Sequence, residues 1–329
     1  MTGSPRTDQA LRPGSRWLSP ILLANLVAEV AIVVTGGLVR VTGSGLGCPT
    51  WPECVDGSIT PTIEQAEGIH KWIEFGNRTL TGVLGLLALA TIVAVWRWAP
   101  RRAMKVAAVT VFVGVLVQAV LGGITVLLGL HPATVAAHFL VSMGLVAAAS
   151  YLWFARHESG TAPVPLVPAL VTRLAWATSG VGVLVLFLGT LVTGSGPHSG
   201  DADEPARLGF DPRTISWLHA DVVMLFVGLV VATWLTARLT SKDADRGPGR
   251  AWFAVLAVSL AQGVVGYVQY FTNLPEALVI AHMLGATLLV VALTNGILAL
   301  RRRCRRPHEE SASAHGTDVL RSLVTHVGR

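Results

Sequence analysis

The chain has 329 residues, of which 52% are hydrophobic and only 13% are charged, and its formal net charge is +6. A soluble domain carries about 25% charged residues, so this composition excludes an ordinary soluble protein. The positive charge does not indicate a nucleic-acid partner, because basic and aromatic residues are not interleaved and anionic lipid accounts for the charge.

Eight apolar stretches recur along the chain, and each is long enough to cross a hydrocarbon core of ~30 Å. We therefore predict an all-α integral membrane protein in the lipid bilayer of the cell membrane, with eight transmembrane helices. The predicted spans are 21–39, 73–95, 106–128, 133–154, 174–193, 215–237, 251–271 and 276–300. The first 20 residues are polar and no small-residue cleavage site follows span 1, so we expect no cleavable signal peptide.

The distribution of basic residues predicts the orientation of the spans. Twenty of the 25 Lys and Arg residues lie in alternate segments: 1–20, 97–105, 155–173, 238–250 and the tail from 301. Basic residues concentrate on the cytoplasmic side of membrane proteins, so we predict that both termini are cytoplasmic. The long connections 40–72 and 196–213 then face outward.

Two of the three cysteines fall in the first outward loop. Cys48 and Cys54 bound the segment "CPTWPEC", on the side of the membrane where disulfides form, and we expect them to pair. A zinc site is the weaker interpretation, because two cysteines without other ligands nearby do not complete a tetrahedral shell. Cys304, in the basic tail, is expected to be a free thiol without a role.

The chain contains an internal repeat. Residues 117–140 resemble residues 261–284, and in each segment a glutamine precedes a histidine by 20 residues: Gln118 and His138 in the first, Gln262 and His282 in the second. The tripeptide "TGS" follows span 1 and ends span 5, at 42–44 and 193–195. Segment 73–85 aligns with 215–228, which places Asn77 opposite His219.

The repeat predicts two pseudo-symmetric four-helix bundles of parallel topology. We expect an N-terminal bundle over 21–156, which includes outer loop 40–72, and a C-terminal bundle over 174–300. A cytoplasmic linker, 157–173, joins them, and cytoplasmic tails occupy 1–20 and 301–329. Each bundle should enclose its own polar side chains, because lipid does not accept them.

Histidines within the spans predict a redox centre in the second half. His219 and His282 lie a few residues inside spans 6 and 8, at a similar depth near the outer face. Two imidazoles on facing helices of a bundle are the ligand set of a six-coordinate heme. The alternative is two unrelated histidines held by hydrogen bonds.

The first half is predicted to hold an iron differently. His138 corresponds to His282, but its partner by symmetry is Asn77, and an amide is a poor axial ligand for heme iron. We therefore expect ligation from one side. Two other histidines compete as site residues: His70 lies on the same helical face as Asn77, while His131 precedes Pro132 and is equally explained as a helix cap.

The segment "IEFGNRTLTG", 73–82, places charge at the edge of the hydrocarbon, where it usually has a task. We predict that Glu74 acts in a reaction; the alternative is an interfacial ion pair with Arg78, four residues on. Arg40 and Arg78 lie near the outer surface and could bind heme carboxylates, or they could extend to the interface without a further role.

Five motifs in order resemble the heme A synthase family: "GGLVRVTGSGLGCPTWPEC", "IEFGNRTLTG", "VAAHFL", "LHAD" and "LPEALVIAHMLGA". The resemblance covers about residues 20–300. It implies an enzyme that oxidises the C8 methyl group of heme O to the formyl group of heme A for cytochrome c oxidase.

The resemblance also implies roles for particular residues. His219 and His282 would hold a heme b cofactor, and His138 would bind the iron of the substrate heme, with both hemes toward the outer face. Glu74 matches the catalytic glutamate, and Cys48 and Cys54 match a disulfide pair. Asn77 departs from the family's histidine, so the second substrate ligand is open.

The same resemblance suggests that heme O synthase hands over the substrate, while the electron partner is not identified. The alternative function is a non-enzymatic diheme membrane cytochrome that transfers electrons.

Overall fold

Eight long helices form almost all of the regular structure in the computed structural model, which describes residues 15–63, 65–99, 101–158, 162–198, 200, 206–241 and 247–303. They are α1 (Leu18–Val41), α2 (His70–Trp98), α3 (Arg102–Leu127), α4 (Pro132–Phe154), α5 (Ala169–Ser195), α6 (Pro212–Thr240), α7 (Gly247–Phe271) and α8 (Glu276–Ala299). All eight are long and apolar enough to cross a membrane. The predicted all-α fold with eight transmembrane helices is confirmed.

The remaining regular structure is small. A single turn of 3-10 helix, Ser15–Trp17, precedes α1, and a two-residue strand β1 (Val164–Pro165) pairs antiparallel with β2 (Arg301–Arg302). Residues 1–14 and the tail from 304, including Cys304, lie outside the described residues.

Helix starts follow local capping chemistry. His131 caps α4, because its Nδ1 accepts a hydrogen bond from the backbone N–H of Ala133 at 3.3 Å, and Pro132 occupies the first position of the helix. The prediction of His131 as a cap is confirmed. Asp211 caps α6 by accepting hydrogen bonds from the side chain and backbone of Thr214, and these bonds hold the pKa of Asp211 below its usual value.

The helices pack as two rings of four. In the first bundle α1 contacts α2, α2 contacts α3, α3 contacts α4, and α4 returns to α1; α5 to α8 repeat this order. Consequently α2 lies diagonally opposite α4, and α6 lies diagonally opposite α8. Helices α1, α4, α5 and α8 form the contact between the bundles.

The helix ends define two sides of the protein. We call the side with the loop 42–69 the disulfide side, and the side where α1 begins and α8 ends the tail side. Every odd-numbered helix runs from the tail side to the disulfide side, and every even-numbered helix returns. Which side faces the cytoplasm stays a prediction from the basic residues.

The second bundle has its largest buried side chain at Trp252 of α7. This residue is fully buried, and its Nε1 donates a hydrogen bond to the carbonyl oxygen of Gly296 on α8 at 3.2 Å. The ring fits because Gly296 has no side chain; a Cβ there would lie 3.2 Å from Trp252 Cε2. The close approach therefore depends on both residues.

We predict that Trp252→Ala lowers the free energy of unfolding by about 3–5 kcal/mol, because it opens a large cavity and leaves the Gly296 carbonyl without this donor. Trp176→Ala is the matched control, since Trp176 is 60% exposed on α5 of the same bundle. Thermal melting of the two variants in one detergent provides the comparison. Equal melting temperatures would contradict the prediction.

Candidate functional site

Three histidines have equivalent surroundings in three different helices. His138 is the seventh residue of α4, His282 is the seventh of α8, and His219 is the eighth of α6, so all three lie at similar depth on the disulfide side. The Nδ1 atom of each is buried without a hydrogen-bond partner. A polar nitrogen in an apolar interior is unfavourable unless something binds the ring.

Each of these rings lies against a glycine of the preceding helix. A Cβ added to Gly122, Gly189 or Gly266 would lie 3.3–3.4 Å from the Cε1 atom of His138, His219 or His282, respectively. Gly122 and Gly266 each precede their histidine by 16 residues, so this constant spacing is a signal in the sequence for two of the three contacts. None of the three glycine contacts was predicted. Their repetition shows that the ring positions are set by one packing rule.

Glutamines fix the backbone of two of the histidines. Gln118 Nε2 donates to the carbonyl oxygen of His138 at 2.8 Å, and Gln262 Nε2 donates to that of His282 at 2.9 Å. A side chain at Gly285 would overlap Gln262, so the glycine permits this approach. The glutamine–histidine spacing in the sequence therefore reflects a repeated contact between α3 and α4 and between α7 and α8.

The second bundle offers two imidazoles to one interior. His219 and His282 lie on the diagonal helices α6 and α8, at similar depth. The adjacent glycines cover the Cε1–Nδ1 edge of each ring, so a flat group bound between the rings would meet the Nε2 atoms. Nitrogen ligands from opposite sides suit the iron of a porphyrin.

The first bundle is different at the position opposite His138. Asn77 of α2 lies on the diagonal helix, and its Oδ1 accepts a hydrogen bond from Thr35 Oγ1 of α1 at 2.7 Å. The amide oxygen is therefore engaged by the protein. The arrangement provides one imidazole, from His138, and an amide that is fixed to a neighbouring helix.

Glu74 is buried and fully engaged beneath the disulfide loop. One carboxylate oxygen accepts the backbone N–H of Cys48 at 2.7 Å. The other accepts two hydrogen bonds from Arg78, from Nε at 3.0 Å and from Nη2 at 2.6 Å. The ion pair predicted as the alternative for Glu74 is present, and a catalytic role stays a prediction.

Arg78 fastens the loop to α2. Besides Glu74, it donates to the backbone carbonyls of Cys48, Thr50 and Glu53 at 2.6–3.1 Å. All five guanidinium N–H groups thereby have protein partners. The prediction that Arg78 binds a heme carboxylate stays untested, and such binding requires this network to open.

Arg40 links the two bundles on the disulfide side. Its Nη2 donates to the carbonyl oxygen of Thr193 at 2.9 Å, and its Nε donates to that of His198. Its predicted role toward a heme carboxylate is untested. In this conformation the guanidinium group joins the end of α1 to the loop after α5.

His70 lies at the start of α2, two turns from Asn77. Its Nδ1 is 2.8 Å from Ser44 Oγ, and Ser44 also contacts the Thr42 hydroxyl at 2.7 Å. Two turns correspond to about 10 Å along the helix, so His70 lies closer to the disulfide side than Asn77 does. Heme binding by His70 stays a prediction, with Nδ1 already engaged.

Cys48 and Cys54 form the expected disulfide. The loop they close carries Trp51, which packs on α3: a Cβ at Gly123 would overlap the indole ring. Trp51 and the Arg78 network therefore attach the loop to two helices of the first bundle. The loop covers the disulfide side of that bundle.

Comparisons with known proteins agree in identifying one family. Residues 19–198, more than half of the chain, match the model of the COX15-CtaA family, described as cytochrome oxidase assembly protein. A protein of Symbiobacterium thermophilum named heme A synthase is 29% identical over 277 residues, which cover 78% of this chain and 89% of the relative. Proteins of the same name from Lysinibacillus sphaericus and Bacillus cereus are each 26% identical, over 88% and 91% of this chain and 96% of each relative.

We predict that Arg78→Ala increases cleavage of the disulfide loop by a protease several-fold, because three backbone carbonyls and Glu74 lose their shared donor. Arg213→Ala is the control: Arg213 lies on the same side at the start of α6 and contacts the Trp217 ring. Limited proteolysis followed by mass spectrometry measures the rates. Identical cleavage of the two variants would show that Arg78 does not hold the loop.

Proposed function

Because the chain belongs to the COX15-CtaA family of cytochrome oxidase assembly proteins, it functions in heme A synthesis, and we propose that it oxidises the C8 methyl group of heme O to a formyl group. The observation that carries this proposal is the set of three half-buried imidazoles, two in one bundle and one in the other, each of which lies against a glycine and has a buried, unpartnered Nδ1 atom. One bundle then serves as the cofactor half and the other as the substrate half.

In the cofactor half, we assign His219 and His282 as the residues that would hold a heme b. Their position on diagonal helices supports this assignment, as do the glycines against the Cε1–Nδ1 edge of each ring, which leave Nε2 on the other side. A heme with both axial positions filled by histidine supplies electron transfer rather than oxygen binding. The contact of Gln262 with the His282 carbonyl keeps this part of α8 in register with α7.

In the substrate half, His138 binds the iron of heme O from one face. On the diagonal helix α2, the Asn77 amide is held by Thr35, so the second face of the bound heme would lack a strong ligand from the protein. The product has to leave after each reaction, and ligation by a single residue favours its release. Heme O synthase is the proposed source of the substrate, and the electron partner is not assigned.

Glu74 is the proposed catalytic carboxylate. The Cys48 N–H and the Arg78 guanidinium fix its position, and the loop above it excludes water. A carboxylate held in this way can accept a proton from the reacting carbon or stabilise positive charge there. Its function requires that one oxygen exchanges a protein donor for the substrate.

We predict that His219→Ala and His282→Ala each lose the heme b and its absorption spectrum, because one axial ligand is removed from a buried site. His198→Ala is the control; His198 lies in the same half, and its Nε2 contacts the Leu274 carbonyl oxygen at 3.0 Å. Chromatography of the extracted hemes identifies what remains. Wild-type protein that contains heme b but never heme O or heme A would instead favour the diheme cytochrome.

We also predict that Glu74→Gln accumulates heme O or its alcohol, with a fall in conversion of at least about 100-fold, while the heme b spectrum persists. The amide keeps an oxygen for the Cys48 N–H but cannot accept a proton. Arg78→Lys is the matched variant, because it disturbs the same network and keeps the carboxylate. Equal loss of conversion in both variants would assign Glu74 to loop attachment.

A further inference from the structure

The first bundle contains a second polar cluster, far from the histidines. Asn25 and Glu29 of α1, Thr91 of α2 and Ser150 of α4 are each no more than 1% exposed. Both polar atoms of the Asn25 side chain, Glu29 Oε1 and the two hydroxyl oxygens have no hydrogen-bond partner in the protein. Most buried polar groups in proteins are paired, so four such residues together require an explanation.

The four residues lie in helices that pack together. Asn25 and Glu29 are one turn apart on one face of α1, and α1 packs against both α2 and α4. Asn25 is seven residues from the tail-side end of α1, Thr91 is seven residues from that of α2, and Ser150 is four from that of α4. These three residues lie about 6–10 Å from the tail-side ends of their helices, and Glu29 lies about 16 Å from that end of α1.

The repeat provides an internal control for this cluster. Aligning Gly36 with Gly189, both before "TGS", places Thr178 opposite Asn25; aligning Asn77 with His219 places Thr233 opposite Thr91. In the second bundle the hydroxyl oxygens of these two threonines lie 2.9 Å apart, and each lies 2.8–2.9 Å from a carbonyl oxygen of its own helix, so one hydroxyl can donate to the other while the second donates to its carbonyl. The equivalent positions are therefore adjacent across the helix pair, and in the second bundle they are satisfied.

The other two positions also differ between the bundles. The first of these alignments places Gly182 opposite Glu29, and aligning His138 with His282 places Thr294 opposite Ser150. The Thr294 hydroxyl donates to the carbonyl oxygen of Val290 at 2.8 Å, whereas the Ser150 hydroxyl has no partner. Among these four aligned pairs, Glu29 is the one ionisable residue.

Apolar residues fill the corresponding space in the second bundle. A Cβ at Gly182 would lie 3.0 Å from the Phe226 ring and 3.2 Å from Leu293. The counterparts of Phe226 and Leu293 in the first bundle are Leu84 and Ala149, and both are smaller. In the alignment, Glu29 thus replaces a glycine where two neighbouring residues are smaller than in the second bundle.

No basic side chain lies at the level of Glu29 in the helices of its bundle or in α8, which packs against α1. Helix α2 has no charged residue between Arg78 and Arg97, and the basic residues of α3 are confined to its first turn, at Arg102 and Lys105. The titratable residues of α4 and α8 are His138 and Tyr151, and Glu276 and His282. An ionised carboxylate without a counter-charge in this interior is very costly, so Glu29 carries a proton.

We propose that Asn25, Glu29, Thr91 and Ser150 form an internal site that binds water and holds one exchangeable proton on Glu29. The amide and the two hydroxyl groups are the hydrogen-bond partners that a neutral carboxylic acid and water require. The site is specific to the first bundle.

Infrared spectroscopy of the full-length protein in lipid nanodiscs tests the proposal. We expect a carbonyl stretching band of a protonated carboxyl group that shifts after transfer to D2O. The band should be absent in Glu29→Gln and retained in Glu276→Gln, which removes the carboxylate at the exposed first turn of α8. Absence of such a band in the wild-type minus Glu29→Gln difference, or failure to shift after prolonged exchange, would overturn the proposal.

Two further sets of variants separate the site from a folding defect. Glu29→Gly combined with Leu84→Phe and Ala149→Leu recreates the packing around Gly182, so this protein should melt no lower than Glu29→Gln and lack the band. Thr91→Val and Ser150→Ala should each move the band, because the proposed water-linked cluster around the carboxyl group loses a hydroxyl group. A band at an unchanged position in both would show that Glu29 is isolated from the cluster. These readouts do not depend on heme conversion.

Discussion

The structure depends on one constraint: a polar side chain inside an apolar helix bundle must find a partner in the protein or in something the protein binds. Most of the hydroxyl groups in the spans meet this requirement by bonding the carbonyl oxygen one turn before them, as Thr233 and Thr294 do. The exceptions are therefore informative. They include the three imidazoles on the disulfide side and the cluster around Glu29, besides the side-chain oxygens of Gln118 and Gln269, and the first two sets are the ones for which we propose ligands.

Duplication makes these exceptions easier to interpret, because each half is a control for the other. At the level of the histidines, the second bundle is the complete copy, with His219 and His282, and the first has Asn77 in one of the two positions. Around the position of Glu29, the second bundle has apolar side chains and threonines whose hydroxyl groups are hydrogen-bonded. The first bundle has polar side chains without protein partners. The two halves thus keep one backbone arrangement and have diverged at the residues that decide what each interior can bind.

The helices and the histidine positions were predictable because hydrophobic length and equal spacing determine them directly. The repeat aligns His138 with His282, whereas His219 aligns with Asn77, so its position follows from its place in span 6. The environment of Glu74 and Arg78 was not predictable beyond their pairing, since the partners are backbone groups of Cys48, Thr50 and Glu53, whose approach depends on the course of a loop. Backbone donors and acceptors have no signature in the sequence.

The contact between Arg40 and the second bundle also uses backbone acceptors, which have no signature in the sequence. The guanidinium group donates to the main-chain carbonyls of Thr193 and His198, and the Gly45 N–H donates to the carbonyl of Gly200 nearby. Carbonyl groups are present whatever side chain a residue carries. Substitution of the Thr193 or His198 side chain therefore leaves these acceptors in place, whereas replacement of Arg40 removes both donors that join the halves here.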